Sequence, residues 1–98
     1  MTVTLMNRFS GDADVIEKVW RIHRPIIQKS GATQAELSRI HTGPHTGQFL
    51  VLVQCADWEG HGKMVTALAG DVAFKKAQAT LDKSAKLEER TFLRGVAT

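Results

Sequence analysis

Residues 48–55 spell Gln-Phe-Leu-Val-Leu-Val-Gln-Cys, and this stretch decides the fold. In an extended chain, successive side chains point to opposite faces. One face of this stretch therefore carries alternate apolar residues, namely Phe49, Val51, Val53 and Cys55. Leu50 and Leu52 make the opposite face apolar as well. A strand with two apolar faces is typical of one buried on both sides, so the stretch predicts a central strand with cover on each face.

Three further strands are predicted around this one. The first covers Thr2 to Ser10 and places alternate residues on one face: Val3, Leu5, Asn7 and Phe9. The second covers Thr33 to Thr42 and is joined to the central strand by the turn at residues 43–47, which is rich in glycine and proline. The last covers Glu88 to Val96, where Arg90 and Phe92 share a face opposite Leu93.

Two helical segments complete the pattern. The first runs from Asp14 to Ser30, with an apolar stripe at helical spacing formed by Ile16, Val19, Trp20, His23, Ile26 and Ile27. Pro25 lies inside this segment and predicts a kink or a division of the helix. The second segment runs from Asp57 to Ser84 and is expected to break near Gly70-Asp71.

The resulting order, β-α-β-β-α-β, is the ferredoxin-like arrangement. It predicts an α+β fold with a four-stranded antiparallel sheet and its helices on one face. The other sheet face then stays uncovered and carries four apolar side chains, those of Met6, Leu50, Leu52 and Leu93. An apolar face of this kind marks a partner site, and a homodimer through the sheet face is the economical way to cover it.

Composition limits the functional classes. The chain has 98 residues and a net charge of +3, which suits one domain spanning residues 1–98. It contains neither the apolar run that a membrane helix needs nor a signal peptide. The basic residues are scattered among acidic ones, so no nucleic-acid partner is expected. The single cysteine, Cys55, excludes an internal disulfide and fits the reducing cytoplasm.

Three stretches resemble the dimeric α+β barrel superfamily, and most closely its antibiotic-biosynthesis-monooxygenase-like proteins and their haem-degrading relatives. They are Met6-Asn7-Arg8-Phe9, the helical residues 15–23, and residues 68–77, which read Leu-Ala-Gly-Asp-Val-Ala-Phe-Lys-Lys-Ala. The resemblance implies a dimeric α+β barrel. It also implies a small monooxygenase-like protein that acts on a hydrophobic aromatic or polyketide-like substrate.

The haem-degrading pattern is met at only one of its three positions. Asn7 matches the strand asparagine, but Ala67 stands near the tryptophan position and Gln78 near the iron-binding histidine. Glutamine is a poor axial donor for haem iron. The expectation is therefore a protein without haem or another cofactor: either a cofactor-independent monooxygenase, or a non-catalytic small-ligand-binding or stress-response barrel.

Asn7 and His23 are the candidate catalytic residues. Asn7 lies on the helix-facing side of the first strand, where an amide either finds local partners or polarises a substrate oxygen. His23 lies in the apolar stripe of the first helix, where it either packs as a neutral core residue or accepts a phenolic proton as general base. Both interpretations stay open for each residue. The two side chains are expected to converge in a cavity between sheet and helices.

Four residues are candidates for contact with a small hydrophobic ligand: Phe9, Trp20, Trp58 and His61. Trp58 serves either as a core or dimer anchor or as a substrate platform. His61 lies between Gly60 and Gly62, in a segment that predicts either a mobile lid or a solvated loop. No metal site is expected, because only two histidines flank the hairpin turn and no carboxylate lies within it.

Overall fold

The computed structural model describes residues 1–96, which form one sheet and three helices. In chain order the elements are β1 (Val3–Gly11), α1 (Ala13–Lys29), β2 (Gln34–Arg39), β3 (Phe49–Cys55), α2 (Trp58–Ala69), α3 (Val72–Ser84) and β4 (Ala85–Arg94). This confirms the predicted α+β, ferredoxin-like order. Within the described residues, no helix combines the length and the apolar character required to cross a bilayer.

The four strands form an antiparallel sheet in the order β2-β3-β1-β4. The apolar stretch at Phe49–Cys55 is an inner strand, as its two apolar faces predict. β1 is the other inner strand, and it places Asn7 opposite Val51 on one side and opposite Arg90 on the other. The first strand, β1, and the last strand, β4, are therefore neighbours in the sheet, and Asn7 lies where they pair.

Each helix begins after an aspartate that caps it. The carboxylates of Asp12, Asp57 and Asp71 accept hydrogen bonds from the backbone N–H groups of Val15, Gly60 and Phe74, at 3.2, 2.7 and 2.8 Å. An aspartate at this position satisfies an N–H that has no partner within the helix. The cap at Asp71 also accounts for the predicted break near Gly70-Asp71, because it starts α3 as a separate helix.

All three helices cover the same sheet face. Ile16 and Val19 of α1 and Leu81 of α3 pack with Phe49 at one end. Met64 of α2 packs with Val53, Cys55 and Ile27 at the other. These two clusters hold most of the buried apolar residues.

Several element bounds differ from the sequence expectation: β2 ends at Arg39 rather than at Thr42, and β4 ends at Arg94 rather than at Val96. Of the two expectations at Pro25, a kink or a division, the division is wrong: α1 is one helix through the proline, with the buried residues Val19 and Ile27 on either side of it. β4 begins at Ala85 rather than at Glu88, directly after α3. The early start depends on Gly11, with φ +136°, where an added Cβ would clash with the carbonyl oxygen of Ser84.

The opposite sheet face has no cover within the described chain. Met6, Leu50 and Leu52 lie there half-buried, and Leu93 is 47% exposed. Register places Met6 directly opposite Leu52, so these side chains are neighbours on the inner strands. Arg8 lies beside them, with its guanidinium bonded to Gln48 and 3.7 Å from Glu89.

Candidate functional site

A cavity of about 580 Å³ lies between the sheet and the helix layer. This volume falls in the ordinary range of small-molecule sites, roughly 300–1,000 Å³. Its walls are mainly apolar, with Leu5, Val51 and Val53 from the sheet facing Trp20, Met64 and Phe74 from the helices. The cavity can therefore hold a hydrophobic ring system, and its few polar side chains decide what it can do chemically.

His23 is the most deeply buried of these polar side chains, at 6% exposed. Its ring stacks on that of Phe74 with 4.0 Å between centroids, and Nε2 lies 3.2 Å from the carbonyl oxygen of Phe74. A carbonyl oxygen only accepts hydrogen bonds, so in the neutral ring Nε2 carries the proton and Nδ1 carries the lone pair. Phe74 thus fixes the position of the ring and also its tautomer.

The Nδ1 atom of His23 has no hydrogen-bond partner among residues 1–96. No side-chain nitrogen or oxygen there is both fully buried and unpartnered, so Nδ1 is not fully buried. Nδ1 therefore keeps contact with open space, and His23 lines the cavity. Burial lowers the pKa of His23, against a smaller opposing effect of the hydrogen bond to Phe74. The ring is a neutral proton acceptor at pH 7.

Asn7 lines the same cavity and is bonded to Arg90. Its Oδ1 accepts a hydrogen bond from Arg90 Nε at 3.0 Å, across the β1–β4 pair. This bond fixes the orientation of the amide and leaves the two Nδ2 hydrogens of Asn7 to be donated. Sequence reasoning did not name Arg90 as a site residue, although it placed Arg90 and Phe92 on one face of the last strand.

Aromatic residues cluster at one side of the cavity. The rings of Trp58, His61 and Phe92 lie within 6.0 Å of one another, centroid to centroid. His61 and Phe92 line the cavity, whereas Trp58 is 52% exposed and lies behind them, outside the wall. Since Phe92 is also 44% exposed, the lining of the cavity reaches the protein surface at this cluster.

Five of the six side chains that the sequence singled out therefore line one cavity: Asn7, Phe9, Trp20, His23 and His61. Trp58 is the exception: it does not line the cavity, but its ring contacts those of His61 and Phe92, which do. The two predictions that placed Asn7 and His23 between sheet and helices agree with the geometry. The chemical roles of the six residues stay predictions.

Gln78, which stands near the haem-ligand position of the resembling family, lines the cavity too. Its Nε2 donates a hydrogen bond to Asp82 at 2.9 Å. An amide held by a carboxylate does not fit the axial position of haem iron. In the part of the chain that the structure describes, no three His, Cys, Asp or Glu side chains come together as a metal site would require.

Cys55 is fully buried behind the cavity, with its Sγ 3.8 Å from the sulfur of Met64. Burial raises the pKa of this thiol, and the charge of Asp57 adds to the effect. A protonated, inaccessible thiol is a packing residue rather than a nucleophile.

The same fold is found in solved structures whose sequences are only distantly similar to this chain. SnoaB, a cofactor-independent oxygenase from Streptomyces nogalater, has this fold: the match covers 99% of this chain and 95% of SnoaB, with a TM-score of 0.75 and 16% identity. An uncharacterized NIPSNAP domain protein from Burkholderia xenovorans matches over 99% and 96%, with a TM-score of 0.71 and 16% identity.

A third solved structure, from Chloroflexus aurantiacus J-10-fl, is provisionally named an antibiotic biosynthesis monooxygenase. It covers all of this chain and 96% of its own, with a TM-score of 0.70 and 11% identity. No protein-family model matches the sequence, and no curated protein matches it significantly. The likeness therefore concerns the fold, and what the site does has to be argued from its own residues.

Proposed function

We propose that the protein is a small cofactor-independent monooxygenase that oxidises an electron-rich hydroxyaromatic or polyketide-like substrate with O₂. One observation carries the proposal: a buried histidine, kept neutral by burial and held at Nε2 by the Phe74 carbonyl, lines an apolar cavity that suits a ring system. The fold shared with SnoaB, a cofactor-independent oxygenase, supports it.

The proposed reaction needs no oxidant beyond O₂. His23 Nδ1 takes the phenolic proton, and the electron-rich anion that results gives electrons to O₂ directly. A ring methylene then loses its two hydrogens and gains one oxygen atom as a carbonyl, while the second oxygen atom leaves with those hydrogens as water. His23 returns the phenolic proton to the product oxygen and is neutral again. The substrate is the reductant, and the Nδ2 hydrogens of Asn7 bond the substrate oxygen as its negative charge develops.

The test uses dithranol, a dihydroxyanthrone with one oxidisable methylene, and follows both O₂ uptake and quinone absorbance above the rate without protein. His23→Gln keeps a side-chain amide near the Phe74 carbonyl but removes the base. We expect it to lower turnover about a hundredfold, the lower end of what a general base contributes. His41→Gln, an exposed histidine beside the hairpin turn, should leave turnover unchanged.

The pH profile gives a second reading of the same experiment. Because burial lowers the pKa of His23, activity should persist at pH 6.5 and fall only at lower pH, where the ring takes up a proton. Asn7→Ala should weaken both substrate binding and turnover. Full turnover in a folded His23→Gln protein would contradict the assignment. Binding without O₂ uptake would favour the alternative, a non-catalytic ligand-binding or stress-response barrel.

We further propose that the chain works as a homodimer in the cytoplasm. The uncovered apolar face at Met6, Leu50 and Leu52 supports the dimer, because its apolar centre and polar edge resemble a protein interface. The single buried thiol of Cys55 supports a reducing compartment.

A further inference from the structure

Arg90 places a positive charge at the polar side of the cavity. Its Nε is occupied by Asn7 Oδ1, but the guanidinium carries four more N–H groups on Nη1 and Nη2. Within the described chain, no recorded hydrogen bond or ion pair uses these groups. The side chain is exposed, as expected for a group at the mouth of a cavity rather than in its floor.

The acidic side chains near Arg90 pair with other residues. Glu89, its neighbour on β4, lies on the opposite sheet face and pairs with Arg8 at 3.7 Å. Asp82 lines the cavity but accepts a hydrogen bond from Gln78. Lys75, the other charged residue of the wall, adds a second positive charge. The cavity thus combines apolar walls with two exposed positive side chains, Arg90 and Lys75, and one carboxylate, Asp82.

We propose that Arg90 is the residue that selects the ligand, and that it does so by binding a carboxylate carried by an otherwise apolar ring system. With Nε held by Asn7, the free Nη1 and Nη2 edge offers two parallel N–H groups, which match the two oxygens of a carboxylate. Asn7 is then also a positioning residue for Arg90. This inference rests on the cavity being the substrate site of the proposed function.

The binding test compares two probes of nearly the same shape, anthracene-9-carboxylate and its neutral carboxamide. Their affinities are measured by fluorescence titration at pH 7.5. We expect the protein to bind the carboxylate about tenfold more tightly than the amide, which corresponds to one charge-assisted pair partly screened by water. The difference should shrink as salt is added.

Variants assign the difference to Arg90. Arg90→Gln should abolish the preference by weakening carboxylate binding alone, while amide binding stays unchanged. Arg90→Lys keeps the positive charge but loses the two parallel N–H groups, so it should retain only part of the preference for the carboxylate. Arg94→Gln is the matched control: Arg94 alternates onto the same face of β4 but does not line the cavity, so the preference should survive.

Equal affinity for the two probes, binding of neither probe, or a preference that survives in Arg90→Gln would each overturn the inference. These outcomes are separate from the test of catalysis, because the titration needs no turnover. A protein that discriminates the carboxylate through Arg90 but never consumes O₂ would retain this inference and lose the proposed oxygenase activity. The reverse result would retain the activity and lose the carboxylate site.

Discussion

At the scale of single residues, the chemistry of the cavity depends on how Phe74 holds His23. The Phe74 ring stacks on the imidazole, and the Phe74 carbonyl fixes the proton on Nε2. The hydrogen bond to the carbonyl favours the protonated ring, but burial outweighs it. Protonation would place a charge in an apolar cavity, which is why burial lowers the pKa of His23.

The lowered pKa predicts how stability depends on pH. The unfolded chain takes up a proton at His23 near pH 6.5, before the folded chain does, so acid favours unfolding. We expect the free energy of unfolding to be steady above pH 6.5 and to fall as the pH drops from there toward the folded pKa. Urea denaturation between pH 7.5 and 5.5 measures this.

In His23→Gln the free energy of unfolding should fall less steeply with acid than in the parent. Lost packing should also destabilise the variant at every pH, by about 1–3 kcal/mol. His41→Gln changes an exposed histidine and should reproduce the parent profile. If His23→Gln loses stability with acid as steeply as the parent, the buried imidazole is not the source of the effect.

The candidate site was predictable only in part, again for reasons at the residue scale. The helical stripe placed His23 toward the sheet, and strand alternation placed Asn7 on the same side. The bond from Arg90 to Asn7 joins residues 83 positions apart, and it depends on a register that no local pattern specifies. An arginine on the helix-facing side of the last strand was the one available signal.

At the scale of secondary-structure elements, α1 shows how packing overrides a local rule. Pro25 removes the N–H that would bond the Arg21 carbonyl. Yet α1 continues over 17 residues, because Pro25 is exposed and water can reach the carbonyl that lost its donor. The buried residues His23 and Ile27 on either side of the proline hold the helix on the sheet.

Pro25 should therefore cost stability without being required for the fold. Pro25→Ala restores one helix hydrogen bond, which is worth up to about 3 kcal/mol, but it also frees the unfolded chain, which offsets about 1 kcal/mol. We expect a net gain of about 1–2 kcal/mol and a higher Tm in thermal denaturation. Gln28→Ala, an exposed change in the same helix, should alter stability by only a few tenths of a kcal/mol. An unchanged or lower Tm for Pro25→Ala would show that the helix is already adapted to the proline.

Most elements were predictable because their patterns are local. A short window of sequence is enough to predict the central strand, the apolar stripe of α1 and the helix break at Gly70-Asp71. The start of β4 was not, because it depends on Gly11, far away in the chain, which lets Ser84 and Ala85 approach closely. The register shift between Arg8 and Phe9, which skips Glu88 in the pairing of β4 with β1, is likewise a feature of the paired strands.

At the scale of the whole molecule, β3 has one face under helices and one face open. Phe49, Val53 and Cys55 are buried beneath the helix layer, while Leu50 and Leu52 are only half-buried on the other side. Around these leucines lie the polar side chains of β2, Glu36 and Ser38, in direct register with them. An apolar centre inside a polar edge is the arrangement that a second copy of the chain can cover symmetrically.

The proposed dimer predicts that Leu52→Asp will separate the chains. A stable interface buries about 800 Å² on each partner, and an unpaired charge at its centre costs several kcal/mol, enough to dissociate it. Analytical ultracentrifugation should show a dimer for the parent and a monomer or an aggregate for Leu52→Asp, with circular dichroism checking that the variant is folded. Val72→Asp makes the same kind of change at a residue 78% exposed at the start of α3, and it should stay dimeric. A parent that sediments as a monomer, or a folded Leu52→Asp protein that is still a dimer, would remove the sheet face as the interface. In that case the apolar character of Leu50 and Leu52 would need another explanation.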